Sequence, residues 1–364
     1  VALCEHSVIG AGASGRNGGF CSSGWAAGLD QITRLVGPLV SKELELIGAD
    51  GFKWMRDRAF SSKYTKAQPI SGIISLGLRG QMSEVSERLD EVELKKFVDG
   101  PRYKWGKIDN EAFHFHPLNF LKTFLQEAIS HGVKVFENTG EVQLNGSEIY
   151  FSNGNRISCD RMIWATGGYS IEKNSTLKKY LLPIQTFICV TSPMPEILET
   201  YIPTRMALGD DRRAGNYFRR LPDGRLLWGM GVSALNQQSV ESIKQMGWKN
   251  IKAHFPNMIA EMKQNNIKFD YAWSGLMAYA SHFMPYVGKL NERESILSGF
   301  GGHGMNTAPI AGKRMALFLN GDKNMLDPFL EIPRRNVFGL IGRLGAEFEY
   351  RRLRAIDYIA EALG

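Results

Sequence analysis

ALCEHSVIGAGASGRNGGF, residues 2–20, is the stretch on which the fold turns. Its middle holds a literal GxGxxG (Gly10, Gly12, Gly15), which alone would mark the phosphate turn of a dinucleotide-binding unit. That turn needs an apolar strand before it, an apolar helix after it and an acid about 20 residues further on. His6 and Ser7 spoil the strand, and Arg16, Asn17, Gly18 and Gly19 cannot open a buried helix. VALCE, residues 1–5, instead reads as a short buried strand ending in an acid. It fits the second strand of a Rossmann-like unit, with Glu5 placed to accept hydrogen bonds from a ribose diol. A solvated strand end is the plainer role for Glu5.

Outward from that loop, residues 30–60 are amphipathic at helical spacing, SGIISLGL (71–78) alternates as a strand, and residues 82–97 form a charged helix. HPLNFLKTFLQEAISHGVKVFENTGEVQL predicts a helix over 117–130, stopped by Gly132, then a strand with Val133, Val135 and Phe136. FSNGNRISCDRMIWATGGY continues as a hairpin feeding a buried strand that ends on Gly167 and Gly168. Residues 184–190 alternate, and NYFRRLPDGRLLWGMG (216–231) is a hairpin turned by Pro222, Asp223 and Gly224. Residues 239–266 are helical with a break at Pro256. Strands and glycine turns resume at Tyr271, and a basic amphipathic helix closes the chain over 343–363. The fold class is α/β with an α+β second domain: a Rossmann-like cofactor domain (1–70, 111–190, 271–364) into which a mixed-sheet substrate domain (71–110, 191–270) is inserted.

The 364 residues, 43% hydrophobic, are enough for two domains with real cores. Cys4, Cys21, Cys159 and Cys189 form no CxxC pair, so neither a zinc site nor a disulfide framework is expected. Cys21 is either a buried apolar filler or a neighbour of the cofactor. The formal charge of +7 is dispersed among 37 acids and does not suggest nucleic acid. No apolar run approaches the roughly 20 residues of a membrane helix. The first residues lack secretory-signal features, which favours the cytoplasm.

The glycine loop resembles the segment after the second strand in the D-amino-acid-oxidase-like family of FAD-dependent oxidoreductases, within its gamma-glutamylputrescine-oxidase-like branch. The resemblance implies that Ala13, Ser14, Gly15, Arg16, Asn17, Gly18 and Gly19 line FAD. Backbone N–H groups at glycines can approach phosphate, and Ser14 and Arg16 add donors. Ala165, Thr166, Gly167 and Gly168 resemble the family's ATG turn beneath the cofactor, and Val142 matches the position that meets adenine or serves simply as a core strand residue. WSGLMAYASHFMPYVG (273–288) and LSGFGGHGMNTAPIAGKRMA (297–316) match family motifs in order and spacing. They imply that Trp273, Gly275, Gly301, Gly302, His303, Gly304, Met305 and Asn306 face the flavin. A helix opened by the second motif would aim its positive end at the flavin N1 and C2 carbonyl. Relatives often carry Thr-Pro-Asp where this chain has Ala280, Ser281 and His282, so that aspartate's contact is missing.

The activity implied is FAD-dependent oxidation of a CH–NH or CH–NH2 bond in a small amine or amino acid by hydride transfer to the flavin, a gamma-glutamylated polyamine being the favoured substrate. Oxygen, a quinone or another electron carrier would reoxidise the flavin. His303 tunes the reduced ring, accepts a proton, or merely hydrogen-bonds the backbone. Tyr217, Arg219 and Tyr279 are the substrate-pocket candidates, with ordinary places in a sheet as the alternative. Two other readings fit the same residues: a flavin dehydrogenase of a hydroxy acid, and a non-catalytic fragment that no longer holds FAD. Glu5 falls before the GxGxxG of residues 10–15, which leads to the expectation that roughly 30 upstream residues supply the first strand and phosphate turn, and that residues 1–364 alone bind FAD poorly.

Overall fold

Gly37 takes φ +80° and Pro38 starts a new helix behind it, so the amphipathic run of residues 30–60 becomes two helices. The computed structural model describes residues 1–79, 88–145, 148–171, 174–212, 215–235 and 237–363. Its elements begin with β1 (Ala2–Cys4), α1 (Ala13–Arg16), β2 (Phe20–Cys21), α2 (Leu29–Val36), α3 (Pro38–Ala59), β3 (Ile70–Gly77), α4 (Glu91–Leu94) and β4 (Trp105–His114). There follow α5 (Pro117–Ser130), β5 (Lys134–Phe136), β6 (Val142–Asn145), β7 (Glu148–Phe151), β8 (Arg156–Ser158), β9 (Met162–Trp164), α6 (Ser175–Tyr180) and β10 (Leu182–Thr191). Next come α7 (Pro195–Tyr201), β11 (Ala207–Asp210), β12 (Tyr217–Arg220), β13 (Leu226–Ser233), α8 (Val240–His254) and α9 (Pro256–Gln264). The chain ends with β14 (Phe269–Tyr279), β15 (Tyr286–Lys289), β16 (Glu294–Ser298), α10 (Gly304–Leu319), α11 (Asp327–Leu330) and α12 (Gly339–Leu363). These elements form two units: residues 1–68, 115–183 and 276–339, and residues 69–114, 184–275 and 340–364.

In the first unit β1 runs parallel to β5, and β9 runs parallel to β16, which pairs antiparallel with β15. A separate antiparallel meander joins β6, β7 and β8. The strand expected to be buried at residues 1–5 is exposed along all three residues of β1, because β5 is its one strand neighbour among the described residues. The core gathers Leu44 and Ile47 of α3, Trp164 of β9, Ile296 of β16 and Ile310 and Met315 of α10. Gly51 lets two helices meet: a Cβ there would lie 2.3 Å from the Asn306 carbonyl oxygen and 2.7 Å from Ile310 Cγ2. The backbones of α3 and α10 approach as closely as they do only because that side chain is absent.

In the second unit the sheet order is β14-β10-β13-β12-β11-β3-β4, with β11 and β3 parallel. One face carries the larger core, where Phe218 of β12 stands opposite Trp228 of β13 and stacks on it at 4.5 Å. Alternation sends Tyr217 and Arg219 to the other face. The segment expected as a helix over 82–97 is helical at α4, where Asp90 caps the N–H groups of Val92 and Glu93. Residues 82–87 lie outside the described residues. Residues 340–364, grouped with the cofactor segments by sequence, cluster with the second unit. Among the described residues no helix is long and apolar enough to cross a membrane.

Two histidines of the second unit are buried as neutral rings. His254 is 1% exposed, stacks on Tyr103 at 5.6 Å, and its Nδ1 lies 2.9 Å from the Asn250 carbonyl. Burial lowers both His254 and His114 from 6.5 to about 4. The unfolded chain therefore binds protons between pH 6.5 and 4 that the folded chain refuses. Stability is complete above pH 6.5 and falls as the pH drops, by up to roughly 3 kcal/mol per histidine. Urea unfolding at pH 7.5 and at about pH 5 should show this loss, and His254→Gln should reduce it. Equal stability at both values would mean that these rings are not held neutral.

Candidate cofactor site

The glycine loop is shaped by itself and by α5. Gly10 has φ +87°, and a Cβ there would come within 2.5 Å of Leu118 Cδ1, while one on Gly15 would sit 2.2 Å from the Gly10 oxygen. The helix opened here has four residues, Ala13–Arg16, and the chain is extended again at Asn17. These glycines thus serve close packing of a loop and do not open the long helix of a dinucleotide fingerprint. Asn17 closes the loop from inside: its amide nitrogen donates to the Ala13 and Ser14 carbonyls at 3.0 Å, and its oxygen accepts the Gly19 N–H at 2.8 Å. Gly18 and Gly19 are buried, whereas Ser14 and Arg16 are exposed. At the loop's start the Glu5 N–H donates to the Phe136 carbonyl, and one carboxylate oxygen accepts the Ser7 N–H at 3.1 Å. Glu5 therefore stands just past a parallel strand end, half-buried.

The ATGG turn meets that loop through Tyr169, which sequence reasoning missed. The Tyr169 ring lies 3.3 Å from where a Gly12 Cβ would be, and its hydroxyl accepts the Leu276 N–H at 3.2 Å. Gly168 packs as closely on Leu276 and Met277, where a Cβ would come within 2.9 Å of the Met277 oxygen. Gly167 takes φ +56°, nothing lies within 4 Å of its missing Cβ, and its carbonyl accepts from Ser298 Oγ. Thr166 Oγ1 is buried with no hydrogen-bond partner among the described residues. Ala165 is exposed.

The third component is the turn before α10. Gly301 and Gly302 have φ +58° and +80°, and a Cβ on them would press on Tyr279 at 2.8 Å and on Met277 Sδ at 3.1 Å. Tyr279 thus lies against the GGHG turn. His303 is the N-cap of α10 without a side-chain cap bond, so the N–H groups of Gly304, Met305 and Asn306 open the helix at its positive end. The buried Asn306 side chain donates to the Gly24 carbonyl at 2.9 Å. The His303 Nε2 lies 3.4 Å from the Ser23 carbonyl and 3.5 Å from Ser22 Oγ. Burial lowers the pKa of this imidazole, against the opposing pull of the Ser23 carbonyl, and favours the neutral ring. Ser22 and Ser23 had no signal in sequence beyond following the glycine loop.

The structure therefore joins the loop of residues 10–26, the turn of 166–169, the strand end of 276–279 and the turn of 299–306. An orphaned buried hydroxyl, left-handed glycines beside open space and an uncapped helix start form a donor set that fits the phosphates and polar ring edge of FAD. Val142 lies on β6 of the meander, paired with Phe151 of β7. Trp273 and Gly275 belong to the second unit, where Trp273 packs on Ile188, Val190 and Leu227. Tyr217 and Arg219 are there too. A Cβ on Gly229 would fall 2.0 Å from the Tyr217 ring, so the tyrosine lies flat across a glycine of β13. Arg219 is 5% exposed with Nη1 3.4 Å from His114 Nδ1, and His114 Nε2 lies 2.8 Å from the Arg205 carbonyl. Nε2 is therefore the protonated nitrogen, and Nδ1 accepts from the guanidinium.

A family model described as FAD dependent oxidoreductase matches residues 1–317. A probable oxidoreductase OrdL of Haemophilus influenzae is 26% identical, with 93% of this chain and 81% of that protein covered. The gamma-glutamylputrescine oxidoreductase of Escherichia coli is 24% identical over 92% and 81%. Among solved structures, glycine oxidase from Geobacillus kaustophilus superposes with a TM-score of 0.65 at 15% identity, covering 92% of each chain. L-proline dehydrogenase from P. horikoshii gives 0.63 at 16%, covering 90% of each. These two likenesses show a shared fold.

Two substitutions test the placement. Thr166→Val removes a buried hydroxyl that lacks a protein partner, so the flavin-free protein should be no less stable, whereas flavin affinity should fall roughly fivefold with the loss of one hydrogen bond. Gly302→Val meets both a left-handed backbone and Met277, and should lower flavin content per chain. Unchanged flavin binding in both variants would remove these turns from the cofactor site.

Proposed function

The chain belongs to the FAD-dependent oxidoreductase family, and on that premise we propose that it oxidises the carbon–nitrogen bond of a small amine or amino acid. The observation that carries the cofactor half is the meeting of Thr166, the Gly301–Gly302 turn and the uncapped start of α10 in one unit. FAD, when bound, takes up the electron pair and hydrogen that leave the substrate's α-carbon. The helix start stabilises negative charge on the cofactor's polar edge, and the neutral His303 offers a nitrogen that can hold a proton beside Ser22 and Ser23.

The substrate half rests on β12. Burial lowers Arg219 to about 10, which still leaves it charged at neutral pH. A buried guanidinium on that sheet face is stabilised by an anionic ligand, and the carboxylate of an amino acid matches its fork. Tyr217 supplies a hydroxyl on the same face; its ring fills the space over Gly229, its paired position on β13, while Gly209, its paired position on β11, is nearly open. A gamma-glutamylated polyamine carries both the carboxylate and an oxidisable amine. The name of the Escherichia coli relative supports that choice.

Oxygen consumption and peroxide release across a panel of amines, amino acids and hydroxy acids tests this proposal, and turnover of hydroxy acids alone would overturn it. Arg219→Lys should lower kcat/KM for carboxylate-bearing amines about ten- to a hundredfold and leave carboxylate-free amines nearly unaffected. His303→Ala should slow flavin reduction in stopped flow more than it weakens flavin retention. An unchanged reduction rate would leave His303 a structural role.

A further inference from the structure

The closing helix turns the usual arrangement inside out. Toward the second unit α12 presents polar side chains: Arg343 Nε donates to the Ala234 carbonyl at 2.7 Å, and Glu347 accepts from Ser233 Oγ and the Ala234 N–H. Asp357 pairs with Arg79 at 3.0 Å. The apolar residues stand outward, with Leu340 62% exposed, Ile341 74%, Leu344 51%, Phe348 70%, Ile356 44% and Ile359 60%. An amphipathic helix ordinarily hides that stripe. The helix also lies beyond residue 317, where the family match ends.

We propose that this stripe pairs with the same stripe of a second copy of the chain, as two antiparallel helices about a two-fold axis level with Tyr350. The sequence is palindromic in chemistry around that residue. Nine positions away on either side are Ile341 and Ile359, six away Leu344 and Ile356, five away Gly345 and Ala355, and two away Phe348 and Arg352. Successive residues turn by about 100°, which puts these eight on one side of the helix. In an antiparallel pair each residue comes level with its counterpart on the other copy, so isoleucine meets isoleucine and a small residue meets a small one. Phe348 faces the partner's Arg352 in a cation–π contact. Glu349 is held by Arg352 of its own chain at 2.6 Å.

A lipid surface fits less well. Arg343, Arg351, Arg352 and Arg354 are balanced by Glu347, Glu349, Asp357 and Glu361, so the helix has no excess of cations for anionic headgroups. Its charged residues cross the middle of the stripe, where a lipid-facing helix needs apolar ones. A helix about 27 Å long and about 11 Å across has a footprint of roughly 300 Å², well below the roughly 800 Å² per partner of a standard interface, so the dimer is reversible and concentration-dependent.

Sedimentation of the full-length flavin-bound protein over about 1–100 μM tests the pairing, with circular dichroism and flavin content as controls on folding. A monomer–dimer equilibrium is expected, weakened at least about tenfold by Leu344→Glu and by Phe348→Glu. Leu39→Glu, at an 87% exposed leucine on α3, should leave it unchanged. A protein that stays monomeric throughout overturns the proposal, as does a dimer indifferent to both stripe substitutions. A monomer that binds phosphatidylserine vesicles and loses that binding in Phe348→Glu also overturns it, assigning the stripe to lipid.

Discussion

The first turn of α10 is seated by a backbone contact that only one residue type permits. At Gly51 the absence of a side chain brings α3 against the Asn306 carbonyl, and Ile310 packs into the same gap. From that seat Asn306 reaches the Gly24 carbonyl, and His303 stands beside Ser22 and Ser23. The position of the helix start relative to the glycine loop is thus set by steric fit in the core. A methyl group at Gly51 would push the turn before α10 away from its neighbours.

Much of the fold was legible because local signals agreed with the tertiary outcome. Pro117 and Gly132 bracket α5, and the GGHG turn announces the start of α10. The GxGxxG of residues 10–15 could be rejected from its flanks, and the helix that starts inside it ends after four residues. Two features depended on contacts distant in sequence. Residues 1–5 have the composition of a buried strand, yet burial needs neighbours on both edges and β1 has one among the described residues. Gly37 could be seen, but whether it would bend or end the helix was decided by its positive φ.

The site was legible at its glycines and not at the residues that join them. Tyr169 gives no motif, and only the folded chain shows its ring on Gly12 and its hydroxyl at Leu276. Alternation places Tyr217 and Arg219 on one face of a strand, but not the bare β13 backbone beneath the tyrosine, which depends on the register that pairs Tyr217 with Gly229. Family motifs record what a shared cofactor demands, so they are dense around residues 10–19 and 297–316. They thin out where the chain meets a substrate of its own.

Asn17, which ties residues 13–19 together through three hydrogen bonds to its own loop, has a further consequence for how a ligand is received. Fixing a flexible backbone costs about 1–2 kcal/mol per residue, and a loop ordered only on contact would subtract that from the binding energy. Here the ordering is completed when the chain folds. The backbone of residues 13–19 is set in advance, so the entropic cost falls on folding and the association step is left to desolvation and contact. An amide that touches only its own backbone can in this way govern how tightly a dinucleotide is held.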